Sequence, residues 1–305
     1  MFCEIAQKIL KSPLRYPGGK GLFALYFSEL IEQNELSGCR YFEPFAGGAG
    51  VGIGLLSLSK ASELILNDAD YHIYCFWDSV LKHNIQFIEA IQDVKLSIEE
   101  WQKQRIIYYD PRRYSVFEVG FSTFYLNRCN RSGILAGAGP IGGQGQMGKW
   151  KLDARFNKEN LIIRIADIGL LAKRIVFHNM DAIEFLKTCL PRGRGREKVF
   201  VYADPPYVSA GNKLYLNFYC NNDHEKLSGY LLQQEKLKWV VTYDDASLIR
   251  ELYSTCQMWL FHLGYSLQVK QKGKELLIAP KGIILPKKNK LFNARWDFER
   301  KIKEE

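Results

Sequence analysis

The sequence predicts an α/β protein, a mostly parallel sheet interrupted by an inserted, mainly helical segment. Three observations carry this. Short apolar runs at 40–44, 63–68, 173–178 and 199–203 alternate with helical stretches, the succession expected of a parallel sheet. The first run opens into a glycine turn and a helix, the first unit of a nucleotide-binding sheet. Residues 71–174 are too long for one crossover and change in composition, so they read as an insertion.

Composition sets the class. A chain of 305 residues holds one large domain, or a domain with a substantial insertion. No apolar run approaches the roughly 18 residues of a membrane span, and the N-terminus lacks a signal-peptide pattern. Seven cysteines without a C-x-x-C pair argue against a disulfide framework or zinc site, and for a reducing cytoplasm. The net charge of +9 is uneven. Residues 1–100 carry 8 Lys/Arg against 13 Asp/Glu, whereas 101–164 carry 11 against 4 with ten aromatics interleaved. A clustered basic, aromatic face is the footprint of a polyanion partner.

In chain order, Arg15-Tyr16-Pro17-Gly18-Gly19-Lys20 is a turn-rich segment before a helix at about 22–33. Paired glycines before a lysine and a helix start suit an anion, although the spacing is not a P-loop; a plain Pro-Gly turn is the alternative. The strand at 40–44 runs into Phe45-Ala46-Gly47-Gly48-Ala49-Gly50, where missing Cβ atoms let backbone approach a ligand. The strand at 63–68 ends in Asp68, about twenty residues further on, where an acid can bind ribose hydroxyls. A helix N-cap is the other reading of that acid.

Helices are expected at 71–80 and 84–93, then a basic aromatic region with Arg112 and Arg113. Leu126-Asn127-Arg128-Cys129-Asn130-Arg131-Ser132-Gly133 leads into a loop at 136–148 with six glycines. Asn127, Arg128, Asn130 and Arg131 have the chemistry for base edges and phosphates, or for caps and salt bridges. The sheet resumes at 173–178, ending near Asp181, with a helix at 182–190. After a polar aromatic loop, Asp223 is placed to N-cap a helix reaching Gln234. A strand at 239–243, a helix at 246–253 and an antiparallel hairpin at 259–268 and 275–279 complete the sheet.

The chemistry concentrates at Val199-Phe-Val-Tyr-Ala-Asp204-Pro205-Pro206-Tyr207. The prolines end the strand, so an acid, free carbonyls and an aromatic are presented where open parallel sheets bind ligands. An amine on a flat heterocycle suits this corner. Asp204 and the Pro205 carbonyl can each accept one N–H, and Tyr207 can stack on the ring. Read alone, the four residues are also an ordinary turn.

Five ordered pieces together resemble the Dam-type adenine-specific DNA methyltransferases: Tyr16-Pro-Gly-Gly-Lys20, Phe42-Glu-Pro-Phe-Ala-Gly47, Ile65-Leu-Asn-Asp68, Asp181 and Asp204-Pro-Pro-Tyr207. The resemblance implies a seven-stranded, mostly parallel, Rossmann-like methyltransferase sheet that binds S-adenosyl-L-methionine. It implies a catalytic domain at 1–70 and 175–285, an inserted target-recognition domain at 71–174 and a charged tail at 286–305. It marks Tyr16, Lys20, Glu43, Phe45, Gly47, Asp68, Asp181 and Asp204 as cofactor-site residues. Asp204, Pro205, Pro206 and Tyr207 become the catalytic corner, and the stretch with Asn127 and Arg128 looks like a recognition segment. One departure stands out: Ala49 replaces the second glycine of the usual F-x-G-x-G turn.

The expected reaction is transfer of a methyl group to the exocyclic N6 amine of an adenine flipped out of duplex DNA, with no metal and no covalent intermediate. Cytosine C5 chemistry would need a Pro-Cys pair, which is absent. Cytosine N4 or RNA adenine methylation, and a non-catalytic DNA-binding protein on the same fold, remain alternatives. The expected partner is duplex DNA and no membrane. A monomer, nucleoid-associated in the cytoplasm, is expected; a cognate restriction endonuclease is compatible with the class.

Overall fold

The computed structural model describes residues 9–15, 20–21, 23–208, 219–264, 272–286 and 298–299. Seven strands form one sheet: β1 (Cys39–Glu43), β2 (Ala61–Asn67), β3 (Ile175–His178), β4 (Val199–Ala203), β5 (Lys238–Asp244), β6 (Gln257–Gly264) and β7 (Lys272–Ala279). Their order is β3-β2-β1-β4-β5-β7-β6, and a two-residue strand β8 (Phe298–Glu299) pairs on the β6 edge. Strands β1 to β5 run parallel, and β7 is antiparallel to both neighbours. The fold class read from the sequence is the one observed.

Every residue of β4 is buried. It lies between β1 and β5 and is covered on both faces, which is why its sequence is uninterrupted apolar rather than alternating. The chain builds outward from β1 through β2 to β3, then returns to β4 and builds the other way. That reversal puts the ends of β1 and β4 side by side, at the switch point where such sheets bind ligands.

Alternate side chains of β4 and β5 feed two cores. On one face Phe200, Tyr202 and Val240 pack against α1 (Phe23–Gln33) and α2 (Gly50–Ser57). The Phe27 and Tyr202 ring centroids lie 4.8 Å apart, edge to face. On the other face Val199, Val201 and Val241 pack against α8 (Ala182–Cys189), α9 (Asn221–Leu232) and α10 (Ser247–Leu252).

Five helices fill the span between β2 and β3: α3 (Tyr71–Lys82), α4 (Asn84–Asp93), α5 (Ile98–Tyr109), α6 (Val116–Cys129) and α7 (Lys158–Leu171). Their apolar side chains, such as Phe76, Trp77, Phe124 and Ile165, belong to the same continuous core as the α1 face of the sheet. Helix α6 is the centre of this group and is buried at every position from Val119 to Cys129. Gly120 lets it cross α3, because a Cβ there would lie 2.3 Å from the Cys75 carbonyl oxygen.

Local signals explain the helix starts. Asp70 caps α3 by accepting from the His72 backbone N–H at 2.9 Å. Ser115 and Glu118 form a capping box on α6. One expectation is corrected: Asp223 does not cap α9. Cys220 is the cap, and Asp223, the third helical residue, accepts from its backbone N–H at 3.1 Å. An acid in the first turn complements the helix dipole from either position. No helix among the described residues is long and apolar enough to cross a membrane.

Candidate active site

Asp204 is the first residue beyond β4. The β4–β5 register pairs Ala203 with Val241, which brings Asp204 level with Thr242 on the same face. Thr242 Oγ1 donates to Asp204 Oδ1 at 2.7 Å and lies 2.9 Å from the Tyr202 hydroxyl. Lys20 reaches in from the turn before α1. Its Nζ is 2.5 Å from Asp204 Oδ1, 3.0 Å from Thr242 Oγ1 and 3.1 Å from Glu275 Oε2. Glu275, on β7, is 1% exposed and accepts from the Tyr207 hydroxyl at 2.6 Å. The Lys20 ammonium also lies 5.2 Å from the centre of the Tyr207 ring, in cation–π range.

Both donors to Asp204 fall on Oδ1. Among the described residues Oδ2 has no partner, and the side chain keeps 29% of its surface exposed. The strand end therefore offers one carboxylate oxygen that is fixed from behind and one that is available. Burial acts to lower the Lys20 pKa, but the charges of Asp204 and Glu275 outweigh it and hold the ammonium above its ordinary value.

The β1 turn lies alongside. Gly47 has a left-handed φ of 47°, and its N–H donates to Asp68 Oδ2 at 2.8 Å. The Asp70 N–H donates to Asp68 Oδ1 at 2.9 Å. Because Asp70 caps α3, Asp68 is left to face the glycine turn. Burial first, and Asp70 next, push the Asp68 carboxyl up to about 7. Glu43 at the end of β1 is 3% exposed, with Oε2 buried and unpartnered among the described residues. Burial, with further contributions from Asp204 and Asp68, drives its carboxyl well above the usual range.

Ala49, the departure from F-x-G-x-G, has φ 47° and ψ 31°. A side chain in the left-handed region costs about 1–2 kcal/mol, and glycine escapes that cost. Against this, Ala49→Gly loses a buried methyl worth about 0.8 kcal/mol and loosens the unfolded chain. The substitution is expected to leave stability unchanged or raise it by up to about 1 kcal/mol in urea unfolding, where Ala→Gly at an ordinary helical position costs about that much. A loss well beyond 1 kcal/mol would contradict the strained turn.

Phe45 packs edge to face with Tyr219 at 5.6 Å, closing one side of the turn. Asp181 caps α8, its Oδ1 accepting from the Ile183 and Glu184 N–H groups at 2.9 and 3.1 Å. Tyr16 lies outside the described residues. Pro205 and Pro206 follow Asp204 outside the strand ladder, with Pro205 buried.

The four expected DNA contacts separate. Asn127 is 1% exposed; its Oδ1 accepts from the Arg15 N–H at 2.6 Å, and its Nδ2 donates to the Arg15 and Gly133 carbonyls at 2.8 and 2.9 Å. Arg128 donates through Nε to the Pro13 carbonyl at 2.7 Å. Asn130 Oδ1 accepts from the Trp101 indole at 2.7 Å. These three sit on or just after α6, which is buried on all sides, so their polar atoms are satisfied inside the protein. Arg131 is exposed. Burial first, then Arg164, Arg15 and Arg155, lower the Arg128 guanidinium to about 9.

Sequence reading did not reach several residues of the site. Thr242, Glu275 and Tyr202 hold Lys20, Asp204 and Tyr207. Asn67 is fully buried and ties the turn to the β3 loop, donating to the Pro44 and Met180 carbonyls at 3.0 Å each. Trp77 of α3 donates to the Gly47 carbonyl at 2.8 Å, so the helical insertion braces the glycine turn. Glu275 alone carried a signal, as an acid directly before the apolar run 276–279.

A reversing sheet of this order, with an acidic turn at β1–β2 and Asp-Pro-Pro-Tyr at the end of β4, defines a methyltransferase of the kind that modifies amines on planar rings. The description "D12 class N6 adenine-specific DNA methyltransferase" matches residues 16–267, and the chain belongs to that family. It is a DNA adenine methyltransferase, which removes the cytosine, RNA and non-catalytic readings. No individually curated protein matches the chain.

Proposed function

We propose that Asp204 and Tyr207 form the pocket for one flipped adenine, and that the β1 turn, Asp68 and Asp181 hold S-adenosyl-L-methionine beside it. The observation that carries this reading is Asp204 Oδ2, without a partner among the described residues, with Oδ1 fixed by Lys20 and Thr242 and the same Lys20 lying over the Tyr207 ring.

When bound, the cofactor supplies a methyl group on a sulfonium. The residues present suit it. Glu43, with a buried carboxylate oxygen that has no partner among the described residues, would accept from the ammonium of the methionine part. Asp68 oxygens each accept one N–H and retain a lone pair for a ribose hydroxyl. Asp181 spends Oδ1 on its cap and keeps Oδ2 for the cofactor adenine.

Flipping a base costs a few kcal/mol, and stacking on Tyr207 offsets about 1–3 kcal/mol of it. The target amine is a weak nucleophile, because its lone pair is delocalised into the ring. Asp204 Oδ2 accepts one N–H and the Pro205 carbonyl the other, favouring a tetrahedral nitrogen and stabilising the charge that develops on it. As the new N–C bond forms and the C–S bond breaks, the nitrogen sheds a proton. Asp204, partly exposed, can pass it to water.

We assign residues 1–70 and 175–285 to catalysis and 71–174 to target recognition. Arg131, Lys149, Lys151 and Arg155 are among the exposed cations available to phosphates there, with Arg112 another. Asn127 and Arg128 instead hold the segment carrying Pro13 and Arg15, five residues before Lys20, while the Asn130 side chain takes the Trp101 indole.

Sequencing of modified bases in DNA from cells expressing the protein tests this reading. Methylated adenine at one recurring sequence supports it, and DNA with no new modification removes it. A second prediction concerns cofactor binding. Ribose hydroxyls donate to the ionised Asp68, so binding is lost as pH falls through its value near 7. Calorimetry across about pH 5.5–8.5 should show the cofactor Kd rising toward tenfold per unit below that value, and a flat profile in Asp68→Asn. A flat wild-type profile would take Asp68 out of the cofactor site. The sign for stability is opposite: a raised acid favours the protonated folded state, so ionised Asp68 costs stability as pH rises through 7.

A further inference from the structure

The geometry points to Glu275 as a positioning residue that offsets the charge of Lys20, so that Asp204 still presents net negative charge to the reacting amine, while the same carboxylate fixes the Tyr207 ring. This rests on the reading of Asp204 and Tyr207 given above.

The observations combine as follows. Lys20 Nζ touches Asp204 Oδ1 at 2.5 Å, on the carboxylate that must stabilise positive charge. An ammonium there works against the reaction, because it neutralises the group the amine depends on. Glu275 Oε2 lies 3.1 Å from the same ammonium, on its other side from β7. Among the ion pairs of the described residues, one ammonium meets two carboxylates, which leaves one negative charge in excess, and Asp204 is the more exposed of the two, at 29% against 1% for Glu275. The excess is therefore available where substrate can reach it.

Stability does not account for this arrangement. A buried lysine paired with a single carboxylate already meets its charge, and a second buried carboxylate adds a desolvation cost of its own. The Glu275 oxygens also divide their contacts: Oε1 takes the Tyr207 hydroxyl and Oε2 the ammonium. The side chain thus links the acceptor of the amine to the ring on which its base stacks. The antiparallel β7 makes this possible, because Glu275 lies opposite Asp244 on the face that also carries Thr242.

The test is a double-mutant cycle on the full-length protein with duplex DNA and S-adenosyl-L-methionine. Glu275→Gln keeps an oxygen acceptor for Tyr207 and removes the charge. In the wild-type background it should lower kcat about tenfold or more, with KM for both substrates changed less than about threefold. In a Lys20→Met background the same change should alter kcat less than about threefold, because there is no ammonium left to offset. Equal effects in both backgrounds would overturn the inference.

A pH profile supplies a second readout, independent of the turnover of Lys20→Met. The groups in contact with Lys20 are Asp204 just beyond β4, the Tyr207 ring, Thr242 from β5 and Glu275 from β7; Tyr202 reaches the same Thr242, and Glu43 feels the Asp204 charge. In Glu275→Gln, Lys20 loses a partner and sheds its proton at lower pH, which restores the Asp204 charge. The ratio of variant to wild-type kcat should rise between about pH 7 and 10. A constant ratio would contradict the charge role. Tyr207→Phe separates the second function: it should weaken the fluorescence change of a 2-aminopurine flipped at the target position while leaving that pH ratio unaltered. An unchanged signal would show that Glu275 does not orient the ring. Wild-type protein that methylates no DNA would instead remove the proposed function, before any variant is compared.

Discussion

Asp204→Ala is expected to lower kcat at least about 10³-fold, roughly 4 kcal/mol of transition-state stabilisation, while duplex DNA binding changes less than about threefold. The size follows from position. Asp204 Oδ2 has no partner among the described residues, and Oδ1 is held by Lys20 and Thr242 at 2.5 and 2.7 Å. Such an acceptor needs no reorganisation when charge develops on the amine. DNA affinity should persist because it comes mainly from phosphate contacts elsewhere. The fold should persist as well, since Lys20 retains Glu275 and Thr242. Asp204→Asn, which keeps the shape, is the control for packing. Gel-shift and single-turnover assays check both halves, and near wild-type turnover in Asp204→Ala would remove Asp204 from the mechanism.

The second large effect separates two arginines three residues apart. Arg131→Ala should weaken DNA binding and reduce the slope of log K against log salt by about 0.9, the share of one phosphate contact. Arg128→Ala should leave that slope unchanged and destabilise the protein. It removes the donor that satisfies the buried Pro13 carbonyl, a loss of about 1–3 kcal/mol, partly offset by relief of a guanidinium crowded by Arg15, Arg155 and Arg164. Thermal unfolding and salt titration of the two variants decide the matter. A reduced salt slope in Arg128→Ala would put that residue back at the DNA.

Much of the fold was legible because its signals are local. The apolar run of β4, the glycine turn after β1 and the acid after β2 each follow from backbone chemistry within a few residues. The ordered set pointed, by resemblance, to the Asp204–Tyr207 corner proposed above as catalytic. Helices α5, α6 and α7 were not read from the sequence, although Ser115-Val-Phe-Glu118 spells a capping box. The run after it is buried on all sides, polar residues included, so it has no amphipathic stripe to read. The same burial misdirected the reading of Asn127 and Arg128. Their side-chain chemistry suits bases and phosphates, and only tertiary packing turns it toward Arg15 and Pro13.

Glu275 shows the converse limit. Its partner Lys20 is 255 residues away in the chain, and nothing local pairs an acid in a late strand with a lysine in the opening turn. Ala49 lies between these extremes. The missing glycine was visible in the sequence, and its consequence, a left-handed alanine at φ 47°, needed the structure.

The most direct test of the central claim uses purified protein, duplex DNA and methyl-labelled S-adenosyl-L-methionine, followed by digestion to nucleosides and separation. The account predicts label in N6-methyladenine, absent when Asp204→Ala replaces the wild type. Label in N4-methylcytosine, or in N6-methyladenine at equal rates with and without Asp204, would contradict it.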